Sequence, residues 1–159
     1  MFQAAKLYLQ TMSEDYHSKV DENVTKFGFH ITFVMEDENG PSFCYSTGLY
    51  KSYNIPEVFL SGLPQSLSFT LVTDYANKFK ETVLETNKKI NSFSEDFDFP
   101  VYFIEVEEEK LKDYDYASQH FYGNENYKCV QLIYPDTTGK FPNEPGYLYN
   151  QEILGKLIE

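Results

Sequence analysis

Residues 29–47 read FHITFVMEDENGPSFCYST, and this stretch decides the fold. Apolar and polar residues alternate with period two from Phe29 to Glu36, the pattern of a strand with two unlike faces. Asn39-Gly40 then predicts a tight hairpin turn, because both residue types tolerate positive φ. Ser42 to Thr47 reads as the return strand. With Glu38 opposite Pro41, one face collects Ile31, Phe33, Met35, Cys44, Ser46 and Gly48. The other collects His30, Thr32, Val34, Tyr45 and Thr47. The first set reads as core. The second mixes polar and aromatic groups, and the expectation is that it faces solvent or a cleft.

Upstream, residues 1–12 predict a short helix. Ser13 with Glu14 and Asp15 predicts the start of a second one, since a small hydroxyl caps a helix and acids suit its positive end. Tyr16, Val20, Val24 and Phe27 recur at helical spacing, and Gly28 stops the run. Downstream, Pro56 precedes a short strand over Glu57 to Ser61. Gly62-Leu63-Pro64 opens a helix predicted over 65–88, with an apolar stripe of Leu67, Leu71, Val72, Tyr75, Ala76, Phe79 and Val83. An acidic, aromatic loop covers Ser92 to Pro100. Val101 to Val106 reads as a strand, 113–122 as a short Tyr-rich helix, and Tyr127 to Tyr134 as a strand apolar enough to lie inside its sheet. The tail, with Gly139, Pro142, Pro145 and Gly146, is turn-rich. This order predicts one α+β domain over residues 1–159, with a mixed or mainly antiparallel sheet and helices packed on one face.

Composition narrows the function classes. The 159 residues are 42% apolar and 18% aromatic, enough for a substantial core without disulfides or metals. Thirteen cations, every one Lys, stand against 25 carboxylates, giving a formal charge of −12. Such a chain cannot neutralise many phosphates, so nucleic-acid binding is not expected. Without Arg it has no bidentate fork for phosphate or carboxylate. No apolar run approaches the roughly 18 residues that span a bilayer, so no membrane association is expected. Met1 to Gln10 lacks the pattern of a signal peptide, which makes the cytoplasm the expected compartment. Cys44 and Cys129 lie far apart in apolar runs and read as buried, reduced thiols.

Three stretches together resemble a bacterial family, domain of unknown function 4262. The first is Phe27-Gly28-Phe29-His30. The second is Phe43-Cys44-Tyr45-Ser46-Thr47-Gly48-Leu49, followed by Pro56-Glu57 and Ser61-Gly62-Leu63. The third is Val130-Gln131-Leu132-Ile133-Tyr134-Pro135-Asp136, then Gly139-Lys140-Phe141-Pro142. The similarity covers about residues 24–151, leaving 1–23 as an N-terminal helical extension. Two positions depart from the family pattern. Ile55 stands where members often carry His before the Pro-Glu, and Asn143 where they often carry Trp after the Phe-Pro. The resemblance implies fold and boundaries; it brings no activity with it.

No motif of a known reaction is present: no Gly-rich phosphate loop, HExxH, GxSxG or EF-hand. His30 is the titratable residue best placed to act as a base or ligand group, since its pKa lies near neutral; its bland role is a hydrogen-bonded structural histidine. Ser46 falls on the opposite face from His30, which argues against a nucleophile and base pair. Glu57 and Asp136 follow prolines at strand ends; for Asp136 the competing role is a turn that bonds the backbone donors after it. His30, His120 and an acid show no ligand spacing, so no metal and no cofactor are expected. The acidic run Glu107, Glu108, Glu109, Asp113 and Asp115 reads as a solvated face or as a surface for a basic partner.

Two functional readings follow. The first is a non-catalytic acidic binding protein, of the immunity or inhibitor type, engaging a basic protein through Glu107, Glu108, Glu109, Asp113 and Asp115. The second is a small-molecule-binding protein or enzyme with a pocket among His30, Tyr45, Thr47, Glu57, Tyr134 and Asp136.

Overall fold

A computed structural model describes residues 13–158; the helix expected over 1–12 lies outside them. The chain runs α1 (Ser13–Phe27), β1 (His30–Val34), β2 (Phe43–Thr47), α2 (Leu49–Tyr53), β3 (Glu57–Ser61) and α3 (Gln65–Phe79). It continues through β4 (Tyr102–Glu105), α4 (Glu108–Leu111), α5 (Tyr116–Tyr122) and β5 (Cys129–Ile133). The five strands form one sheet in the order β1-β2-β3-β5-β4. Only β3 and β5 pair in parallel, so the sheet is mixed and the domain is α+β. As expected from its apolar run, β5 is an interior strand.

The β1–β2 hairpin keeps the expected faces but not the expected pairing. His30 lies opposite Thr47, Thr32 opposite Tyr45 and Phe33 opposite Cys44. Each strand has slipped by one residue relative to a Glu38–Pro41 register, and because the two slips add to an even number no side chain changes face. The turn sits on Glu38-Asn39, between Asp37 and Gly40. There the Asn39 amide donates to the Asp37 carboxylate at 2.8 Å, and Gly40 has no positive φ. Met35, expected in the core, is 76% exposed.

Helices cover both faces of the sheet, not one. Ile31, Phe33, Cys44, Val58, Leu60, Phe103 and Leu132 pack under Leu71, Val72, Tyr75 and Phe79 of α3. On the opposite face Val34, Phe43, Tyr45 and Phe59 meet Val20 and Val24 of α1, Leu111 of α4 and Ala117 of α5. Further along that second face the tail closes over Tyr102, Ile104 and Ile133 with Phe141, Ile153, Leu157 and Ile158. The polar character of the His30 face misled the sequence reading. Its polar groups bond to α1 and α5 instead of water.

Helix α3 ends at Phe79, not near 88. Beyond it Thr82 and Thr86 are poor helix formers, and Val83 is exposed, so the stripe has nothing left to bury against. The chain turns back through Asn87, whose amide donates to the Phe103 carbonyl at 2.7 Å. The helix expected over 113–122 begins at Tyr116, and the run after β4 forms the short α4.

Candidate functional site

The strand end at Glu57 organises the chain around itself. Its carboxylate is 1% exposed and accepts from the Ser46 hydroxyl at 2.6 Å, the amides of Gly48, Leu49 and Tyr50 at 2.9, 3.2 and 3.2 Å, and the Tyr122 hydroxyl. Burial raises its pKa while these donors oppose the rise. The three amides are the unpaired donors of the first turn of α2. Gly48 permits their approach: its φ is +107°, and a Cβ there would lie 2.7 Å from Val24. Glu57 is therefore the local cap of α2, a structural use of a residue expected to bind ligand.

Tyr122 connects Glu57 to a second buried carboxylate. Its ring stacks on Tyr127, centroids 4.4 Å apart and 20° from parallel. The Tyr127 hydroxyl donates to Asp115 at 2.6 Å, and Gln119 donates to the other Asp115 oxygen at 2.8 Å. Asp115 is 3% exposed. Burial pushes its pKa up to about 7, against the lowering by Tyr127 and Gln119. Cys129 pairs in register with Glu57, and burial with Asp115 and Glu57 nearby keeps its thiol protonated. Asp115, Gln119, Tyr127 and Cys129 line a groove of about 1160 Å³. Glu105, Glu108, Glu109 and Glu125 line it too, with Lys112 and Lys128. A second groove, about 830 Å³, lies between the hairpin tip and the tail, lined by Glu36, Asp37 and Glu38 together with the exposed Met35, Leu148 and Tyr149.

The other expected ligand residues are used internally. Asn23 donates to His30 Nδ1 at 2.9 Å, which leaves Nε2 to carry the proton toward the Tyr16 hydroxyl at 2.8 Å, and Tyr16 in turn bonds Thr32 at 2.7 Å. Burial, reinforced by Lys19, lowers the His30 pKa to about 4. Tyr45 accepts from the Ala117 amide at 3.0 Å. Thr47 bonds Ser118 at 2.7 Å, and Ser118 donates to the Ser46 carbonyl. Tyr134 donates to the Ser61 carbonyl at 2.6 Å. Asp136 forms the turn expected of it. It accepts from the Thr138 amide and hydroxyl and from the Lys140 amide, and its second oxygen takes the Leu148 amide. Burial raises its pKa, but these donors outweigh it and hold the carboxyl at about 2. Neither these five residues nor Glu57 lines either groove. His120 does not join His30; it stacks on His17 at 3.6 Å. Among the described residues no group of three or more His, Cys, Asp or Glu is placed to hold a metal ion.

The acidic run divides. Glu107, Glu108 and Glu109 are exposed, with Lys110 bonded to Glu107 at 3.1 Å and Lys112 to Glu109 at 2.6 Å. Asp113 is half-buried, and Asp115 is buried and cannot contribute to a solvated face. Sequence reasoning missed Tyr122, Tyr127 and Gln131. Gln131, fully buried in β5, donates to the Glu152 carbonyl at 2.7 Å and accepts from the Leu154 amide at 2.8 Å. It thus replaces a strand partner for the tail. A glutamine inside an apolar strand was the available signal, since a buried amide must find partners.

The family described as Domain of unknown function (DUF4262) matches residues 23–148, and the chain belongs to it. No curated protein and no solved structure matches the chain. The two departures from the family pattern have local roles here. Ile55 is 9% exposed in the core under α3, and Asn143 donates to the Ile158 carbonyl at 2.7 Å. No helix among the described residues is long and apolar enough to cross a membrane.

Proposed function

We propose that this chain is a non-catalytic binding protein, of the immunity or inhibitor type, that engages a basic protein through the acidic groove beside α4. The observation that carries this reading is the charge of the grooves. Five carboxylates against two lysines line the larger one, and three carboxylates with no cation line the smaller. Meanwhile His30, Tyr45 and Glu57, the groups a catalytic pocket would need, spend their polar atoms on the fold. Acidic rims raise the encounter rate with cationic partners and fix their orientation.

The reading is tested with a fluorescein-labelled peptide of alternating Lys and Gly as a basic probe. The wild-type chain is expected to bind it with an on-rate that falls steeply as salt rises. The triple variant Glu107→Lys, Glu108→Lys, Glu109→Lys is expected to slow association at least about tenfold at low salt while remaining folded, because exposed ion pairs contribute little to stability. A triple variant that binds as wild type does overturns the reading.

A further inference from the structure

We propose that Asp115, on the floor of the larger groove, receives the ammonium group of a lysine side chain from the basic partner. The proposal rests on the acidic-groove reading and assigns the group that anchors the partner.

Asp115 lines the groove yet is 3% exposed, so only a slender group reaches it. Each of its oxygens already holds one donor, Gln119 on one and Tyr127 on the other. A carboxylate offers about four acceptor positions, so roughly two remain for a ligand. Among the described residues, Lys88 pairs with Glu85, Lys110 with Glu107 and Lys112 with Glu109. None of these three pairs involves Asp115 or Glu57, the carboxylates at the two ends of the stacked tyrosine pair. A buried carboxylate without a cation is costly, and an incoming cation relieves that cost. Burial holding Asp115 near neutral pKa agrees with this.

The shape selects lysine over arginine. A guanidinium pairs best in a fork across both carboxylate oxygens, and here Tyr127 and Gln119 occupy one position on each. An ammonium is a compact point charge and needs no fork. Its aliphatic stem packs on apolar groove residues such as Ile55 and Leu111.

The test compares two labelled peptides of equal charge, one alternating Lys and Gly, the other Arg and Gly, on wild type, Asp115→Asn and Asp115→Ala. Wild type is expected to bind the Lys peptide about tenfold more tightly than the Arg peptide. Asp115→Asn keeps an oxygen for Tyr127 but turns its amide NH₂ toward the Gln119 donor, so it is expected to stay folded at the cost of that one bond. It should lose about tenfold in Lys-peptide affinity, with Arg-peptide affinity little changed. Asp115→Ala should erase the same preference, which separates the lost charge from any effect of the introduced amide. If Asp115→Asn retains the Lys preference, the anchor is overturned while the acidic-groove reading stands. If neither peptide binds wild type at low salt, both fall.

Discussion

Tyr122 and Tyr127 stack at 4.4 Å with their hydroxyls directed to different buried carboxylates, Glu57 and Asp115. One end of this unit is sealed and structural, holding the first turn of α2. The other end opens on the groove. Removing either hydroxyl leaves a buried carboxylate short of a donor. Tyr122→Phe and Tyr127→Phe should each cost about 1–3 kcal/mol, read from urea unfolding. Only Tyr127→Phe should also alter binding at the groove.

Glu57 is the more severe position. Glu57→Gln places an amide NH₂ among five donors, two of which lose their acceptor. A loss of about 3–5 kcal/mol is expected in denaturant unfolding, as for a broken buried charge network. A loss below about 1 kcal/mol would mean that the α2 turn does not depend on Glu57.

Gln131→Leu removes both bonds to the tail, leaving the Leu154 amide without its acceptor and the Glu152 carbonyl with only the longer bond from the Ser61 hydroxyl at 3.5 Å. The expected cost is about 2–4 kcal/mol, with faster hydrogen exchange at the Leu154 amide and at the Glu107 amide, which bonds the Leu154 carbonyl. Gly155→Ala should loosen the same segment, because its Cβ would lie 2.1 Å from the Glu105 carbonyl oxygen. Unchanged exchange in both variants would contradict this account of the tail.

Acid stability should show two opposed contributions. His30 titrates at about 4 folded and near 6.5 unfolded, so between these values the unfolded chain binds more protons and stability rises with pH. Asp115 titrates at about 7 folded against 3.8 unfolded, so over that range the folded chain binds more protons and stability falls as pH rises. Thermal melts across pH 4 to 8 should therefore show Asp115→Asn gaining on wild type as pH rises toward 7. His30→Asn should gain on wild type as pH falls from 6.5 toward 4, because it lacks the proton that the unfolded wild type takes up there. Parallel curves for all three proteins would contradict both assignments.

The apolar stripe of α3 was legible as far as the core reaches. Phe79 is 4% exposed and meets Tyr75, Phe93 and Phe103, so Phe79→Ala should cost about 3–5 kcal/mol. Val83 fits the same helical spacing but lies past the end of the helix, since periodicity carries no information about where the opposing surface ends. The hairpin shows a similar limit. Alternation fixed which residues share a face, while the turn was set by the Asp37 side chain, which outweighed the Asn-Gly signal. The site was least legible. Tyr122 bonds Glu57 across 65 residues, and nothing local marks that contact. His30, Tyr45 and Thr47 were correctly placed together, but α1 and α5 cover them, so a polar strand face became interior. Asp115 was grouped with its acidic neighbours by sequence proximity, whereas the start of α5 turns it inward to Tyr127.

The proposed attraction between the groove beside α4 and a basic partner is one of charge. The most direct test measures the on-rate of the Lys-Gly peptide against salt for wild type and for the Glu107, Glu108, Glu109 to Lys variant. The account predicts a steep salt dependence for wild type, and a slow, nearly flat one for the variant. A wild-type on-rate independent of salt, or identical curves for the two proteins, would contradict it.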